Sequence, residues 1–178
     1  DVRAKVLGVL MTLELLSLVV TAFAVFFSSN RPEPIDFAAS FSPSSILVGG
    51  LSGSAGIALA FAFASYIGFE ATAIYGEESK DAHKTVPRAT YLAVITITVI
   101  FGFTAFAMVS GLGSSVVIDK TLELSEGLAN PAAVLFYVAE TYVGSWMATL
   151  MSWLVISSLF AGLLAFQNQD LADARAMI

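Results

Sequence analysis

Residues 63–79, "FASYIGFEATAIYGEES", are apolar enough for a membrane helix, but Gly68 and Glu70 stand near the middle of the segment. A charged residue near the centre of a membrane helix costs about 2.5–3.5 kcal/mol on insertion scales and usually faces a cavity or a partner. Gly68 is a position at which the backbone can leave the helical conformation. The pattern favours a discontinuous helix around residues 64–70 over a continuous helix in which Glu70 only pairs with a neighbour.

The composition of the whole chain is that of an integral membrane protein. Hydrophobic residues make up 57% of the chain and charged residues 12%, against about one quarter charged in soluble proteins. The net charge of -6 offers no basic surface for nucleic acid. The chain has no cysteine, which excludes disulfides and thiolate metal sites. We expect the single histidine, His83, to be a solvated loop residue, and we expect no metal site.

Four apolar blocks are long enough to cross a hydrocarbon core of about 30 Å. The sequence therefore predicts an all-α integral membrane fold with four transmembrane helices, at about residues 6–27, 56–76, 90–109 and 144–167. The predicted connections are an outer loop over 28–53, a cytoplasmic loop over 77–88 and an outer loop with a short helix over 131–143. Asn130 and Pro131 form a suitable N-cap and first-turn pair for that short helix. Its apolar face, which we expect to tuck into the outer side, consists of Val134, Leu135, Val138 and Tyr142.

The basic residues of the connections predict the orientation. Four spans place six Lys and Arg residues on the side of the N-terminus and two on the other side. Basic residues accumulate in cytoplasmic loops, so we expect the N-terminus to be cytoplasmic.

Two longer segments resemble a known family. Residues 63–94, "FASYIGFEATAIYGEESKDAHKTVPRATYLAV", resemble the signature of the amino acid, polyamine and organocation (APC) permeases. The signature is an aromatic-Ile-Gly-aromatic-acid core, a pair of acids, a basic loop, and Pro-Arg opening the next helix. Residues 152–168, "SWLVISSLFAGLLAFQN", resemble the eighth helix of these permeases, and the span that contains Glu14 resembles the fifth. The resemblance implies helices five to eight of a five-plus-five inverted-repeat, LeuT-like transporter fold.

The resemblance also implies one half of a substrate site, in the discontinuous helix. Its residues would be Ala64, Ser65, Tyr66, Ile67, Gly68 and Phe69. Tyr66 and Phe69 are the expected side-chain contacts or gates. Glu70 would take up a coupling proton. Glu14, near the middle of its span, is expected to be paired inside the bundle, with a direct role in coupling as the alternative.

Two further sets of polar residues have open interpretations. Ser157 and Ser158 lie where related transporters place a cation site or its vestige, but helical serines more often bond the carbonyl of their own preceding turn. The residues at the inner end of the second span form either a cytoplasmic gate or a solvated face: Glu77, Glu78, Lys80 and Lys84.

The predicted function is secondary active transport of amino acids or related amines, in the plasma membrane, by a multi-pass protein that is not an enzyme. No cofactor is expected, and the sequence leaves three modes open: coupling to H⁺, coupling to Na⁺ and exchange. The chain does not begin with methionine, and residues 169–178 depart from the family pattern. We therefore expect a piece of a longer permease that is inactive without the missing helices. The alternatives are a four-helix membrane scaffold or assembly protein and a non-functional remnant.

Overall fold

The computed structural model describes residues 2–47, 54–66, 81–125, 130 and 132–176, and all regular structure in these ranges is helical. The helices are α1 (Val2–Phe27), α2 (Phe37–Phe41), α3 (Pro43–Ile46), α4 (Ser54–Ala64), α5 (Ala82–Leu112), α6 (Val117–Leu124), α7 (Ala133–Tyr142) and α8 (Ser145–Ala176). Three segments of these helices are long and apolar enough to cross a membrane: Gly8–Phe27, His83–Leu112 and Ser145–Leu163.

The fourth predicted span, over residues 56–76, is only partly described. Its described part is α4 and the turn that follows, up to Tyr66, and residues 67–76 lie outside the described ranges. The apolar stretch Ala55–Ala64 is too short to count as a span by itself. Three of the four predicted transmembrane helices are therefore found as candidate spans, and the fourth remains a prediction.

Helix α5 begins earlier than the sequence suggested. We expected residues 77–88 to form a loop, but the helix starts at Ala82 and contains Pro87. Proline lacks an N–H, so the carbonyl of His83 loses its normal helical partner. His83 is exposed, as expected, although in a helix. Water can reach the unpaired carbonyl in this exposed turn, which makes a proline near the helix start tolerable.

Helices α1 and α5 pack side by side and run in the same direction. The rings of Phe23 and Phe103 have centroids 5.2 Å apart, and those of Phe26 and Phe106 are 5.3 Å apart. Residue numbers thus rise together along both helices. The carboxyl ends of α1 and α5 consequently lie at the same end of the bundle.

Helix α7 fills the space between α1, α5 and α8. Val138 and Ala139 are 1% and 0% exposed. Val138 belongs to a buried cluster with Ala22, Val25, Ala107 and Leu112. Ala139 packs with Met147 and Met151. The predicted apolar face of α7 is the packed one, since its remaining members, Val134, Leu135 and Tyr142, contact these two clusters.

The start of α7 differs from the sequence prediction. The N-cap is Ala132, with no side-chain cap hydrogen bond, rather than Asn130. The backbone carbonyl of Asn130 accepts the N–H of Ala133 at 3.1 Å. A turn therefore precedes the helix and supplies the backbone acceptor, so the Asn130 side chain is not needed as a cap.

Tyr142, at the end of α7, contacts the end of α5. Its hydroxyl donates to the carbonyl of Gly111 at 2.7 Å. A Cβ at Gly111 would lie 3.2 Å from the Tyr142 ring and 3.3 Å from Val25. Burial raises the pKa of Tyr142, and the nearby Arg31 guanidinium opposes that shift. The absence of a side chain at Gly111 allows the tyrosine to approach the helix backbone.

Arg31 caps the carboxyl end of α1. Its Nη1 donates to the carbonyls of Val25, Phe26 and Ser28 at 2.8, 2.7 and 2.6 Å. The last carbonyls of a helix have no partner within the helix and carry partial negative charge. The guanidinium satisfies several of them at once and folds the chain back over the helix end.

Glu33 ties the same loop to the turn after α5. Its carboxylate accepts the Ser114 hydroxyl at 3.0 Å, the Ser115 N–H at 3.1 Å, and the Ser115 hydroxyl. The bonds from Ser115, and then the bond from Ser114, lower the pKa of Glu33. We call Arg31 and Glu33 together the outer staple, because they join the ends of two parallel helices and belong to the loop predicted to be outer.

Gly113, which directly follows α5 and lies next to Glu33, allows a test of the outer staple. Its φ is +98°, and an added Cβ would lie 3.3 Å from the Glu33 carboxyl carbon. Gly113→Ala should lower the free energy of unfolding by about 1–3 kcal/mol, the usual cost of such backbone strain. The measurement is an SDS titration in detergent micelles followed by circular dichroism. Gly102→Ala is the control, because nothing lies within 4 Å of its Cβ position; equal losses in both variants would contradict the assignment.

The outer staple should also make stability depend on pH. A lowered folded-state pKa means that the Glu33 bonds stabilise the fold above the unfolded value near 4.5 and are lost as the pH falls below it. Glu33→Gln should therefore reduce the acid-induced loss of stability measured by the same titration from about pH 5 to about pH 3. Glu140→Gln, at an exposed carboxylate on α7, should retain the wild-type slope. Parallel curves for wild type and Glu33→Gln would show that the staple carries no charge-dependent stability.

Candidate functional site

Helix α4 ends where the sequence predicted a break to begin. A regular helix would bond the N–H of Tyr66 to the carbonyl of Ala62, but Tyr66 bonds Phe63 instead, at 3.1 Å. The Ser65 hydroxyl donates to the released Ala62 carbonyl at 2.7 Å. The hydroxyl thus satisfies a backbone acceptor that the tightening of the last turn would leave unpaired. The helix ends at Ala64, the first residue of the predicted discontinuity.

The end of α4 contacts α5 near the middle of the candidate span of that helix. The apolar helix Ala55–Ala64 rises about 15 Å, half of a typical hydrocarbon core. Tyr66, in the turn that follows it, touches Thr98. Thr98 lies about 21–23 Å from either end of the candidate span His83–Leu112.

Thr98 is a candidate site residue that the sequence pattern did not indicate. The Tyr66 hydroxyl and the Thr98 Oγ1 are 2.6 Å apart, and the same Oγ1 donates to the carbonyl of Val94 at 2.7 Å. Thr96 and Thr98 interrupt an aliphatic stretch of α5, which was a visible signal. The partner of Thr98 lies 32 residues away, however, and no local pattern indicates such a pairing.

The described half of the site has an open side. Ala64, Ser65 and Thr98 are exposed, and Tyr66 is half-buried. The neighbouring Phe61 and Phe63 are 74% and 76% exposed. The described residues therefore form one wall of a site rather than an enclosed pocket.

Several predicted site residues lie outside the described ranges and remain predictions: Ile67, Gly68, Phe69, Glu70, Glu77, Glu78 and Lys80. Lys84, considered as a partner of the two inner glutamates, lies 3.5 Å from Asp81, with side chains 73% and 52% exposed. Exposed pairs of this kind contribute about 0–1 kcal/mol. Lys84 can therefore leave Asp81 and pair with another acidic residue.

Glu14 is half-buried in α1. Its backbone carbonyl accepts the Ser17 hydroxyl at 2.7 Å. Among the side chains that the structure describes, the Glu14 carboxylate has no hydrogen bond and no ion pair. Its predicted pairing inside the bundle is thus neither found nor excluded.

The two serines of α8 differ from each other. Ser157 is half-buried and donates its hydroxyl proton to the Leu154 carbonyl at 2.8 Å, whereas Ser158 is exposed. This bond fits the structural interpretation of Ser157. A hydroxyl that donates still has lone pairs that can bind a cation, so the contact is compatible with both interpretations.

Comparison with known proteins identifies the family. The model of the amino acid permease family matches residues 3–168, nearly the whole chain. No match was found among curated proteins or among solved structures. The resemblance carried by residues 63–94 and 152–168 is thereby confirmed. Together with the three apolar helices, the match indicates a membrane transporter rather than an enzyme: the chain belongs to the amino acid permease family.

Proposed function

We propose that the chain is part of a secondary active transporter for amino acids or related amines, with its substrate site at the end of α4. The observation that carries the proposal is the position of this helix end, about halfway along the candidate span of α5 and beside the paired hydroxyls of Tyr66 and Thr98. Helix ends at membrane depth present unpaired backbone groups, which bind the charged groups of small substrates and coupling ions. Family membership supplies the substrate class.

The parallel packing of α1 and α5 supports a fourth span. Both helices have their carboxyl ends at the outer staple. A chain that leaves one helix at that end and enters the next at the opposite end must cross the membrane in between. The predicted span over residues 56–76 is the apolar segment available for this crossing. Four spans with a break in the second agree with helices five to eight of a five-plus-five inverted-repeat fold.

We assign the N-terminus to the cytoplasm and the outer staple to the opposite side. The support is the distribution of basic residues, six on the N-terminal side and two on the staple side. A transporter of external amino acids would work in the plasma membrane with this orientation.

The proposed site combines described and undescribed residues. Residues 64–69 form the wall contributed by α4 and its continuation, and Glu70 and Glu14 are the proton-binding candidates. Ser157 and Ser158 are the candidates for sodium coupling. Ala64 and Ser65 are exposed, so the opposite wall would come from further permease helices supplied with this chain.

The decisive experiment measures amino acid binding in two preparations. The chain is reconstituted in nanodiscs alone, and also with further chains that carry the remaining helices of a family member, one to four and those after eight. Radiolabelled L-alanine, L-lysine and L-glutamate serve as probes of three side-chain classes. We expect binding only in the combined preparation. Binding to the chain alone would refute the need for further helices, and absence of binding in both would refute the transport proposal.

Gly68→Leu tests whether the break forms the site. A leucine would fill the place where substrate meets the unwound backbone, so the affinity of the binding preparation should fall by about tenfold or more, or about 1.4 kcal/mol. Gly8→Leu is the matched control, since nothing lies within 4 Å of the Gly8 Cβ position. A membrane scaffold would tolerate both substitutions equally.

Glu70→Gln tests proton coupling. A glutamine cannot bind the coupling proton, so the stimulation of uptake by an inward proton gradient should disappear while binding remains. Uptake into proteoliposomes, with and without the gradient, is the measurement. Glu140→Gln should respond to the gradient as the wild type does. Stimulation that persists in Glu70→Gln would exclude Glu70 as the coupling group.

A further inference from the structure

We infer that Thr98 is a positioning residue that makes the phenol oxygen of Tyr66 a hydrogen-bond acceptor for the amino group of the substrate. The inference rests on the proposed function, because it assigns a substrate group to one side chain of that site. It is drawn from the chain of hydrogen bonds that joins Tyr66, Thr98 and the backbone of α5.

The direction of these bonds follows from counting protons. A threonine hydroxyl has one proton and two acceptor lone pairs. The Thr98 hydroxyl donates to the Val94 carbonyl at 2.7 Å, since a carbonyl can only accept. The contact of 2.6 Å between the two hydroxyls must then use the proton of Tyr66. Tyr66 is therefore the donor and Thr98 the acceptor.

The consequence concerns the free side of the phenol oxygen. A tyrosine hydroxyl also has a single proton, and in this arrangement that proton is committed to Thr98. The remaining lone pairs of Tyr66 can only accept a hydrogen bond. An ammonium or amine N–H fits this position, whereas a carboxylate oxygen would meet another acceptor.

The support on α5 makes Thr98 suitable for positioning. Threonine in a helix can hold its Oγ1 against the carbonyl of the preceding turn, which fixes its rotamer. Helix α5 packs against α1 through the phenylalanines of both helices. The phenol of Tyr66, at the end of the more exposed α4, is thus held by a side chain whose helix packs against α1 further along, at Phe103 and Phe106.

The first experiment tests the hydrogen bond on the chain itself. Ultraviolet resonance Raman spectra distinguish a tyrosine hydroxyl that donates from one that accepts. Thr98→Val should change the signal of one tyrosine, whereas Thr98→Ser, which keeps the hydroxyl, should leave it unchanged. Thr96→Val is the matched control, because Thr96 is an exposed threonine on the same helix, about 200° around the axis from Thr98. Identical spectra for Thr98→Val and wild type would overturn the inference.

The second experiment tests the substrate group in whichever preparation binds L-alanine. The probes are L-alanine and its N,N,N-trimethyl derivative, which keeps the positive charge but has no N–H to donate. We expect wild type, Thr98→Ser and Thr96→Val to prefer L-alanine by about tenfold, the effect of one hydrogen bond to a charged group. Thr98→Val and Tyr66→Phe should lose most of this preference. Retention of the full preference in Thr98→Val would overturn the inference.

The two experiments separate this inference from the proposed function. Binding of L-alanine with no loss of preference in Thr98→Val leaves the transport proposal standing and refutes the role of Thr98. Absence of binding in every preparation refutes the transport proposal and, with it, the assignment of the substrate amino group. The Raman spectra then still establish whether Tyr66 donates to Thr98.

Discussion

The parallel packing of α1 and α5 is the constraint on which the rest of the fold depends. Two adjacent helices that run in the same direction cannot be joined by a short hairpin, so the connection must return along the length of the bundle. The outer staple strengthens this constraint, because Arg31 binds the end of α1 while Glu33 binds the turn after α5. The position of α4 follows from it, since this helix belongs to the returning segment.

Local patterns in the sequence predicted the helices better than the contacts that join their ends. Hydropathy located the three apolar helices, because bilayer thickness sets the length of any span. It gave no sign of the outer staple. Arg31 was counted as a loop charge, and its role as a helix cap depends on a reversal of the chain. The bond from Ser115 to Glu33 joins residues 82 positions apart, which no local pattern encodes.

The candidate site also has a part that local patterns indicate and a part that only tertiary contact shows. A glycine and an acid inside an apolar run disfavour a continuous helix, and α4 ends at Ala64, where the predicted discontinuity begins; Gly68 and Glu70 lie outside the described ranges, so the break stays a prediction. The Asn130 cap failed because a preceding turn already supplied the acceptor that the helix start requires. Thr98 was not predictable as a partner of Tyr66, because aliphatic membrane helices tolerate a threonine bonded to its own backbone without any further function. Local signals thus predicted the region of the candidate site, and only tertiary contact identified Thr98 beside it.

The contrast in packing between α4 and its neighbours bears on how such a site could work. Helices α1, α5, α7 and α8 share two buried clusters, whereas most described residues of α4 are exposed. In the proposed arrangement, substrate donates to the phenol of Tyr66 while the phenol donates to Thr98. Hydrogen bonds in such a chain polarise and strengthen one another. Substrate binding would therefore tighten the contact between α4 and α5, and substrate release would loosen it. In this arrangement α4 is held more tightly to α5 when substrate is bound, so binding can control the position of α4.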